Sequence, residues 1–381
     1  MEIYMDHAAT TRLSPAALEA MMPCFQEIYG NPSSLHRLGR QAKCRLEQAR
    51  AQVAGCLGAS AREIYFTSGG TEADNQAIRT AAALGARQGK KHIITTGFEH
   101  HAVLHTLEVL EKSGFTVTRL PLDTQTHNLD PHRLEQAIRP DTCLVTAMYA
   151  NNEIGSILPV SQIGKICHMH NILFHVDGIQ AAGHIPVNVQ QDGVDLLSIS
   201  GHKFGGPKGI GALYAKKGLQ LEKLLEGGGQ ERGKRPGTEN LPAICGMAAA
   251  LQDACSHLEQ TGPWVAELRD RMIRGLSRIP GALSNGDPGH RLPGIVSFCF
   301  PGVSGESLLI LLDESGICAS GGSACSSGSL EPSHVLLAVG RSPDQARSSV
   351  RFSLGAENTR EEVDYAVEKT AGIVAGLLKD S

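Results

Sequence analysis

The 381-residue chain lacks several features that would settle its class at once. No stretch is long and apolar enough to cross a bilayer, and the opening Met1-Glu2-Ile3-Tyr4-Met5-Asp6 carries no basic segment followed by an apolar core. A soluble, cytoplasmic protein is expected. Neither sign of charge is in excess: 35 basic residues stand against 39 acidic ones, which argues against a nucleic-acid or membrane-surface protein held by bulk electrostatics. The ten cysteines, from Cys24 to Cys325, include no C-x-x-C pair, so a zinc ribbon and the C-x-x-C redox motif are both missing. Most of the ten are expected to be reduced, buried small hydrophobes. There is no internal repeat and no disordered tract. The one low-complexity patch, Ala319 to Ser329, is almost wholly Ser, Gly and Ala around Cys325.

What is present is an alternation. Short apolar runs rich in β-branched residues recur between helical patterns, at Glu63 to Phe66, His92 to Thr95, Thr116 to Leu120, Cys143 to Tyr149, Ile172 to Val176, Asp195 to Ile199 and Ile210 to Tyr214. That spacing predicts an α/β fold with a mainly parallel seven-stranded sheet covered on both faces, and functional groups gathered at strand ends. After about Ala254 the pattern changes to a charged helix, Trp264 to Ile279. Strands at Ile295 to Phe300 and Val350 to Leu354 follow, with a helix at Glu306 to Glu314 between them. Thr359-Arg360-Glu361-Glu362 is a capping-box signature opening the last helix. The division expected is a large domain over 12–255 and a smaller α/β domain from 1–11 and 256–381 that carries the Cys325 segment.

Polar groups cluster where strands end. Ser200-Gly201-His202-Lys203 follows the run Val194 to Ile199 and precedes a glycine-rich turn, a setting in which a lysine amine can bond covalently to an aldehyde cofactor. A loop lysine is also an ordinary solvated charge. Asp177 follows Ile172 to Val176 and is either a partner for a protonated ring nitrogen or a helix cap. Gln180, three residues on, suits a ring hydroxyl or an unremarkable helix position. Thr67-Ser68-Gly69-Gly70-Thr71-Glu72 opens a helix and reads as a phosphate cup or a capping loop; no lysine follows in P-loop form. His100, in Glu99-His100-His101, either stacks on a planar ring and moves protons or is structural. Asn151-Asn152-Glu153 completes the set, and the convergence is what the separate ordinary readings leave unexplained.

Val176-Asp177-Gly178-Ile179-Gln180, Ser200-Gly201-His202-Lys203, Gly227-Gly228-Gly229-Gln230-Glu231-Arg232, Pro236-Gly237-Thr238-Glu239-Asn240 and Ser323-Ala324-Cys325-Ser326-Ser327-Gly328 together resemble the cysteine desulfurases. These are class V, fold-type I enzymes dependent on pyridoxal 5'-phosphate (PLP). The resemblance runs from Met5-Asp6-His7-Ala8-Ala9-Thr10-Thr11 to Arg351-Phe352-Ser353-Leu354-Gly355, nearly the whole chain. It implies an aspartate aminotransferase-like fold with Lys203 carrying PLP, Asp177 on its ring nitrogen, His100 stacked on the ring, and Asn152 and Gln180 near its hydroxyl. Gly70, Thr71, Ser200 and His202 would hold the phosphate. Thr238 would arrive from a second subunit, making a homodimer. Arg351, with Asn152, would receive the substrate carboxylate, although by composition alone Arg351 is a strand-end ion pair.

The activity implied is conversion of L-cysteine to L-alanine, with sulfur passing to Cys325 as a persulfide for iron–sulfur scaffold or other acceptor proteins. Cys325 sits in a segment with almost no large side chain to anchor it and is expected to be mobile and accessible, unlike Cys24 or Cys143 within apolar patterns. Cys318 lies in an apolar run and is the weaker candidate. The serine- and glycine-rich segment resembles the NifS/IscS-like group, and the chain's end soon after its last helix leaves out the longer tail of some members. Selenocysteine lyase shares several of the motifs, and a class V aminotransferase shares the cofactor but has no use for the Cys325 segment. A catalytically dead partner has no reason to keep Lys203, Asp177, His100 and Cys325 together. Two positions depart from the family pattern: Gly178 stands where alanine is usual and Gly321 where serine is common, both expected to add backbone freedom.

Overall fold

The computed structural model describes residues 2–322 and 331–379. Cys325 lies outside the described residues. Among those described, twelve strands form three sheets: β1 Ile3–Tyr4, β2 Ile64–Thr67, β3 His92–Thr96, β4 Thr116–Leu120, β5 Thr142–Met148, β6 Leu173–Asp177, β7 Leu196–Ser200, β8 Gly211–Ala215, β9 Leu283–Asn285, β10 Ile295–Cys299, β11 Ile317–Cys318 and β12 Ser349–Ser353. The large sheet has the order β2-β8-β7-β6-β5-β3-β4. Only β8 runs against its neighbours, so the sheet is mainly parallel as the alternating pattern predicts.

Strand alternation sorts side chains to two faces. Leu144 and Leu196 go to the face covered by the helix Gly70–Arg87, against Ala73, Ala77, Ile78 and Ala81. Val145, Phe174, Val176, Leu197 and Ile199 go to the other, against the helices Arg37–Leu57 and Leu241–Leu276. A separate core forms from Ile3 and Met5, the far half of that last helix, β10, β12 and the helices Gly305–Glu314 and Arg360–Leu377. The expected capping box is made: Thr359 accepts from the Glu362 amide and the Glu362 side chain returns to the Thr359 amide.

Leu241–Leu276 departs from expectation, running unbroken through Pro263 where the sequence pattern starts a new helix at Trp264. A proline inside a helix costs about 3 kcal/mol, chiefly through the i−4 carbonyl it strands. Here that carbonyl belongs to exposed Glu259, which water can reach. The expected boundary at 255 therefore falls within one helix that spans both cores. The short strands β1, β9 and β11 were not legible in the pattern either, being two or three residues long.

Candidate active site

Five loops meet at the carboxyl ends of β2, β3, β5, β6 and β7. Asp177 is the last residue of β6, paired in register with Met148 and Ser198. Its Oδ1 accepts the Ile179 amide at 3.0 Å. Burial, then the nearby Asp74 carboxylate, pushes it up to about 8, opposed by the Ile179 amide, His175 and Lys203. Lys203 ends the turn Gly201–Lys203 that leaves β7, and its Nζ donates to the carbonyls of Ala8 and Ala9 at 2.8 Å each. The Gln180 amide also donates to Ala8, at 2.9 Å. The segment Asp6 to Thr11 thus closes over the strand ends; His202 Nδ1 lies 3.2 Å from Thr10 Oγ1, and Thr11 Oγ1 donates to the His202 carbonyl at 2.9 Å.

His100 caps the helix His101–Lys112, its Nδ1 accepting the Ala102 amide at 3.1 Å, which assigns the proton of the neutral ring to Nε2. Burial, then Lys203, then three neighbouring histidines depress it to about 4. It is therefore neutral at physiological pH. Its position beside Lys203 joins the β3 loop to the β7 loop.

The phosphate-cup residues come together in part. Gly69 precedes the eighteen-residue helix Gly70–Arg87 with no side chain capping its N-terminus, leaving the amide end of the dipole for an anion. Ser200 closes on it: a Cβ at Gly70 would stand 3.5 Å from Ser200 Cβ. Thr71 is exposed. Behind them a Cβ at Gly211 would lie 2.7 Å from the backbone carbon of Gly69. Gly211→Ala must push this helix start away from the strand ends, and overpacking of this kind costs about 1–3 kcal/mol. Reconstitution titrations are expected to show PLP bound about ten- to a hundredfold more weakly, and unchanged affinity would refute the cup.

Arg351 on β12 is 1% exposed and held at three points. Its Nη2 pairs with Asp6 at 2.8 Å, Nη1 donates to the Asn152 carbonyl at 2.9 Å, and Ser320 bridges to its backbone. Its Nε is buried without a hydrogen-bond partner among the described residues. The ion-pair reading and the anion-anchor reading thus describe one side chain with a donor to spare. Thr238 stays exposed on the single chain, next to a turn held by Glu231. Glu231 and Arg232 both take left-handed backbone angles, φ 45° and 56°, fixed by the buried two-point bond of Glu231 to Arg50 at 2.8 Å. Arg232 lies 4.0 Å over the Tyr65 ring.

Sequence reasoning missed a polar row beneath Asp177. His175 bonds Thr146 Oγ1 at 2.8 Å and Ser198 Oγ at 3.1 Å, and faces Asp74 Oδ1 at 3.5 Å, all fully buried. Burial depresses His175 to about 4 and raises Asp74 to about 7. Buried Glu99 is raised to about 8 by burial, with Asp177 and Asp74 adding to the shift. The available signal was Asp74 itself, an acid on the stripe Ala73, Ala77, Ile78, Ala81. The role of Asp6 and Ala8 had no signal beyond their place in a family motif. Gly178 also differs from expectation: its φ is not positive, and a Cβ there would lie 2.7 Å from Leu197 Cδ1. The glycine makes room for a leucine instead of adding freedom. At Gly321 the nearest atom to a Cβ among the described residues is Leu309 Cδ1 at 3.8 Å, and their packing does not require glycine there.

Beside Lys203 a cavity of about 810 Å³ runs between the two cores, lined by His7, Ala8, Gln180, His184 and Phe204 and by apolar residues such as Leu13, Leu258 and Leu292. Asp177, Ser200 and His100 do not line it, so it is the cleft behind the Ala8 segment and not the ring pocket. The ring pocket fits PLP on three observations: a buried carboxyl at Asp177 calls for a cationic partner, an uncapped helix end calls for an anion, and Lys203 Nζ lies near enough for its charge to act on both Asp177 and His100.

The class-V aminotransferase family model matches residues 3–366. A cysteine desulfurase IscS from Methanosarcina thermophila is 49% identical over 375 residues, covering 98% of this chain and 92% of that protein. A solved NifS-like protein superposes with a TM-score of 0.92 at 39% identity, covering 99% of this chain and all of that one. A solved structure of SspA in complex with cysteine gives a TM-score of 0.82 at 34% identity, covering 94% of this chain and 100% of that one. The chain belongs to the class-V aminotransferase family, with the fold-type I architecture, and within it to the cysteine desulfurases.

Proposed function

We propose that this chain is a PLP-dependent cysteine desulfurase in which Lys203 anchors the cofactor, Asp177 meets its ring nitrogen, and Cys325 receives the sulfur. The observation that carries the reading is the meeting of Lys203, buried Asp177 and neutral His100 at adjoining strand ends, in a chain of this family. When bound, PLP supplies an electron-withdrawing ring that eases loss of a proton from the α-carbon of an amino acid.

The chain's own residues do the rest. Gly70, Thr71, Ser200 and His202 would hold the phosphate, and His100, Gln180 and Asn152 would bind the ring and its hydroxyl. Arg351 takes the carboxylate of L-cysteine with the donor left over from Asp6 and Asn152, a task suited to a planar, permanently charged group. The Lys203 amine would move a proton at the substrate α-carbon. His100, with its proton on Nε2, gives and takes protons beside it. The Cys325 thiolate then attacks the substrate sulfur: an S–S bond forms, the C–S bond breaks, and the carbon takes a proton and leaves as L-alanine. An acceptor protein collects the persulfide sulfur for iron–sulfur cluster or thio-cofactor synthesis.

The active form is a homodimer, with Thr238 completing the partner's phosphate site; its exposure on the single chain supports this. The division into domains at 12–255 and 1–11 with 256–381 is part of the same reading, supported by the two separate cores. A cytoplasmic location is in keeping with the absence, among the described residues, of any helix able to cross a membrane. The test compares alanine formation from cysteine and from selenocysteine in wild type and Cys325→Ala. Cys325→Ala is expected to keep bound PLP and to form no persulfide from cysteine. Selenocysteine turned over strongly while cysteine is left untouched would favour a selenocysteine lyase, and undiminished sulfur release by Cys325→Ala without added thiol would overturn the nucleophile.

A further inference from the structure

The helix Leu241–Leu276 carries two cysteines, Cys245 and Cys255, about 15 Å apart along its axis. Each meets a thiol from an earlier segment. Cys245 lies 3.7 Å from Cys24, both buried. Cys255 shares a surface pocket with Cys56, from the last turn of Arg37–Leu57. The second pair differs in access: both thiols are half-buried and line one surface pocket with Asn188, Gln191 and Leu258. A bond from Gln52 to Gln252 of 2.9 Å, one turn earlier on both helices, fixes the register that brings the thiols together.

The surroundings also differ. Interaction with Cys56, aided by the Gly183 backbone, holds the Cys255 thiol below the usual range, while Cys255 and burial push Cys56 up. One member is the better nucleophile and its neighbour is placed to resolve it. Gly183 in turn backs the cofactor lysine. A Cβ there would lie 2.7 Å from Phe204 Cβ, and the next residue, His184, donates from Nε2 to the Lys203 carbonyl at 2.8 Å.

We propose that Cys56 and Cys255 are a modification site for hydroperoxides, an oxidisable dithiol whose closure to a disulfide loosens the Gly183–His184 support of Lys203. The Cys255 sulfur attacks the peroxide O–O bond, forming a sulfenic acid and releasing water or an alcohol. The Cys56 sulfur then attacks the Cys255 sulfur; the S–S bond forms, the S–O bond breaks and a second water leaves. Two thiols are oxidised by two electrons and one peroxide is reduced. The disulfide draws Cys255 toward Cys56 and with it Ala254, whose Cβ would lie 3.3 Å from a Cβ at Gly183. The effect on Lys203 rests on its reading as the cofactor lysine.

The test treats the PLP-loaded protein with hydrogen peroxide, digests it without reductant, and in parallel follows release of PLP by absorbance. Wild type is expected to give a Cys56–Cys255 linked peptide two hydrogens lighter than its parts, while Cys24 and Cys245 remain open to alkylation after unfolding. PLP release should quicken at least about fivefold, the low end of coupling between two sites in one protein, and return to its starting rate with a thiol reductant. Cys56→Ser and Cys255→Ser should release PLP at the reduced wild-type rate with or without peroxide. A missing linked peptide, a linked peptide with unchanged PLP release, or equal peroxide sensitivity in Cys56→Ser would each overturn the proposal. Failure of the Lys203 assignment shows separately, as PLP never covalently attached.

Discussion

Replacement of Lys203 by alanine is expected to abolish covalent attachment of PLP and to lower turnover of cysteine by at least about a thousandfold, the contribution expected of a positioned proton-transfer group. The residue is fixed from both sides. Its Nζ donates to Ala8 and Ala9, and its carbonyl accepts from His184. Those contacts place the amine at the strand ends without the cofactor's help. Borohydride treatment followed by mass measurement checks the prediction: wild type gains the mass of reduced PLP on the peptide containing Lys203, and Lys203→Ala gains none. An adduct on any other lysine would move the site.

Asp177→Asn is expected to lower kcat/KM by about a hundred- to several-thousandfold. Removing one partner of a buried charge pair costs about 3–5 kcal/mol, and each 1.36 kcal/mol is a factor of ten. The same substitution has an opposite signature in the cofactor-free protein. Asp177 is raised by burial and Asp74 from the ordinary 3.8 to about 8. A group that holds its proton more tightly folded than unfolded contributes most below its unfolded pKa and loses that contribution as pH rises through the folded one. Asp177, Asp74, Glu99 and Glu153 therefore each withdraw stability as pH rises from about 4 to 8, while His100, His175 and His202, held near 4, add stability as pH rises toward 6.5. Asparagine removes one of the four falling contributions, so the stability of cofactor-free Asp177→Asn relative to wild type should rise as pH goes from 4 to 8, read by thermal unfolding at each pH. Equal steepness would mean that Asp177 is already ionised and paired without PLP.

The seven strands of the main sheet were legible because each lies in a short, mostly apolar run ending within a residue or two of where its loop begins. Lys203, Asp177, His100 and Gly70 were legible for the same reason, since a parallel sheet delivers the ends of its strands to one edge. The small strands were too short to show a period. The unbroken helix through Pro263 depends on exposure of Glu259, which no local pattern records. The Asp74–His175 row depends on which face of a helix meets which strand. Arg351 had two readings in the sequence because both are true of its surroundings: it pairs with Asp6, 345 residues earlier, and keeps a buried donor besides. Gly178 needed the position of Leu197 before its small size made sense.

The destination of the sulfur distinguishes this chemistry from its alternatives, and a single turnover measures it. PLP-loaded protein is mixed with one equivalent of cysteine labelled at sulfur, quenched with an alkylating reagent, and analysed for alanine and for labelled peptides. One alanine should appear for each labelled sulfur atom, and the label should sit on the peptide containing Cys325, carried on that cysteine. Alanine formed with the label on another of the ten cysteines, or with the label free in solution and Cys325 unmodified, would contradict it.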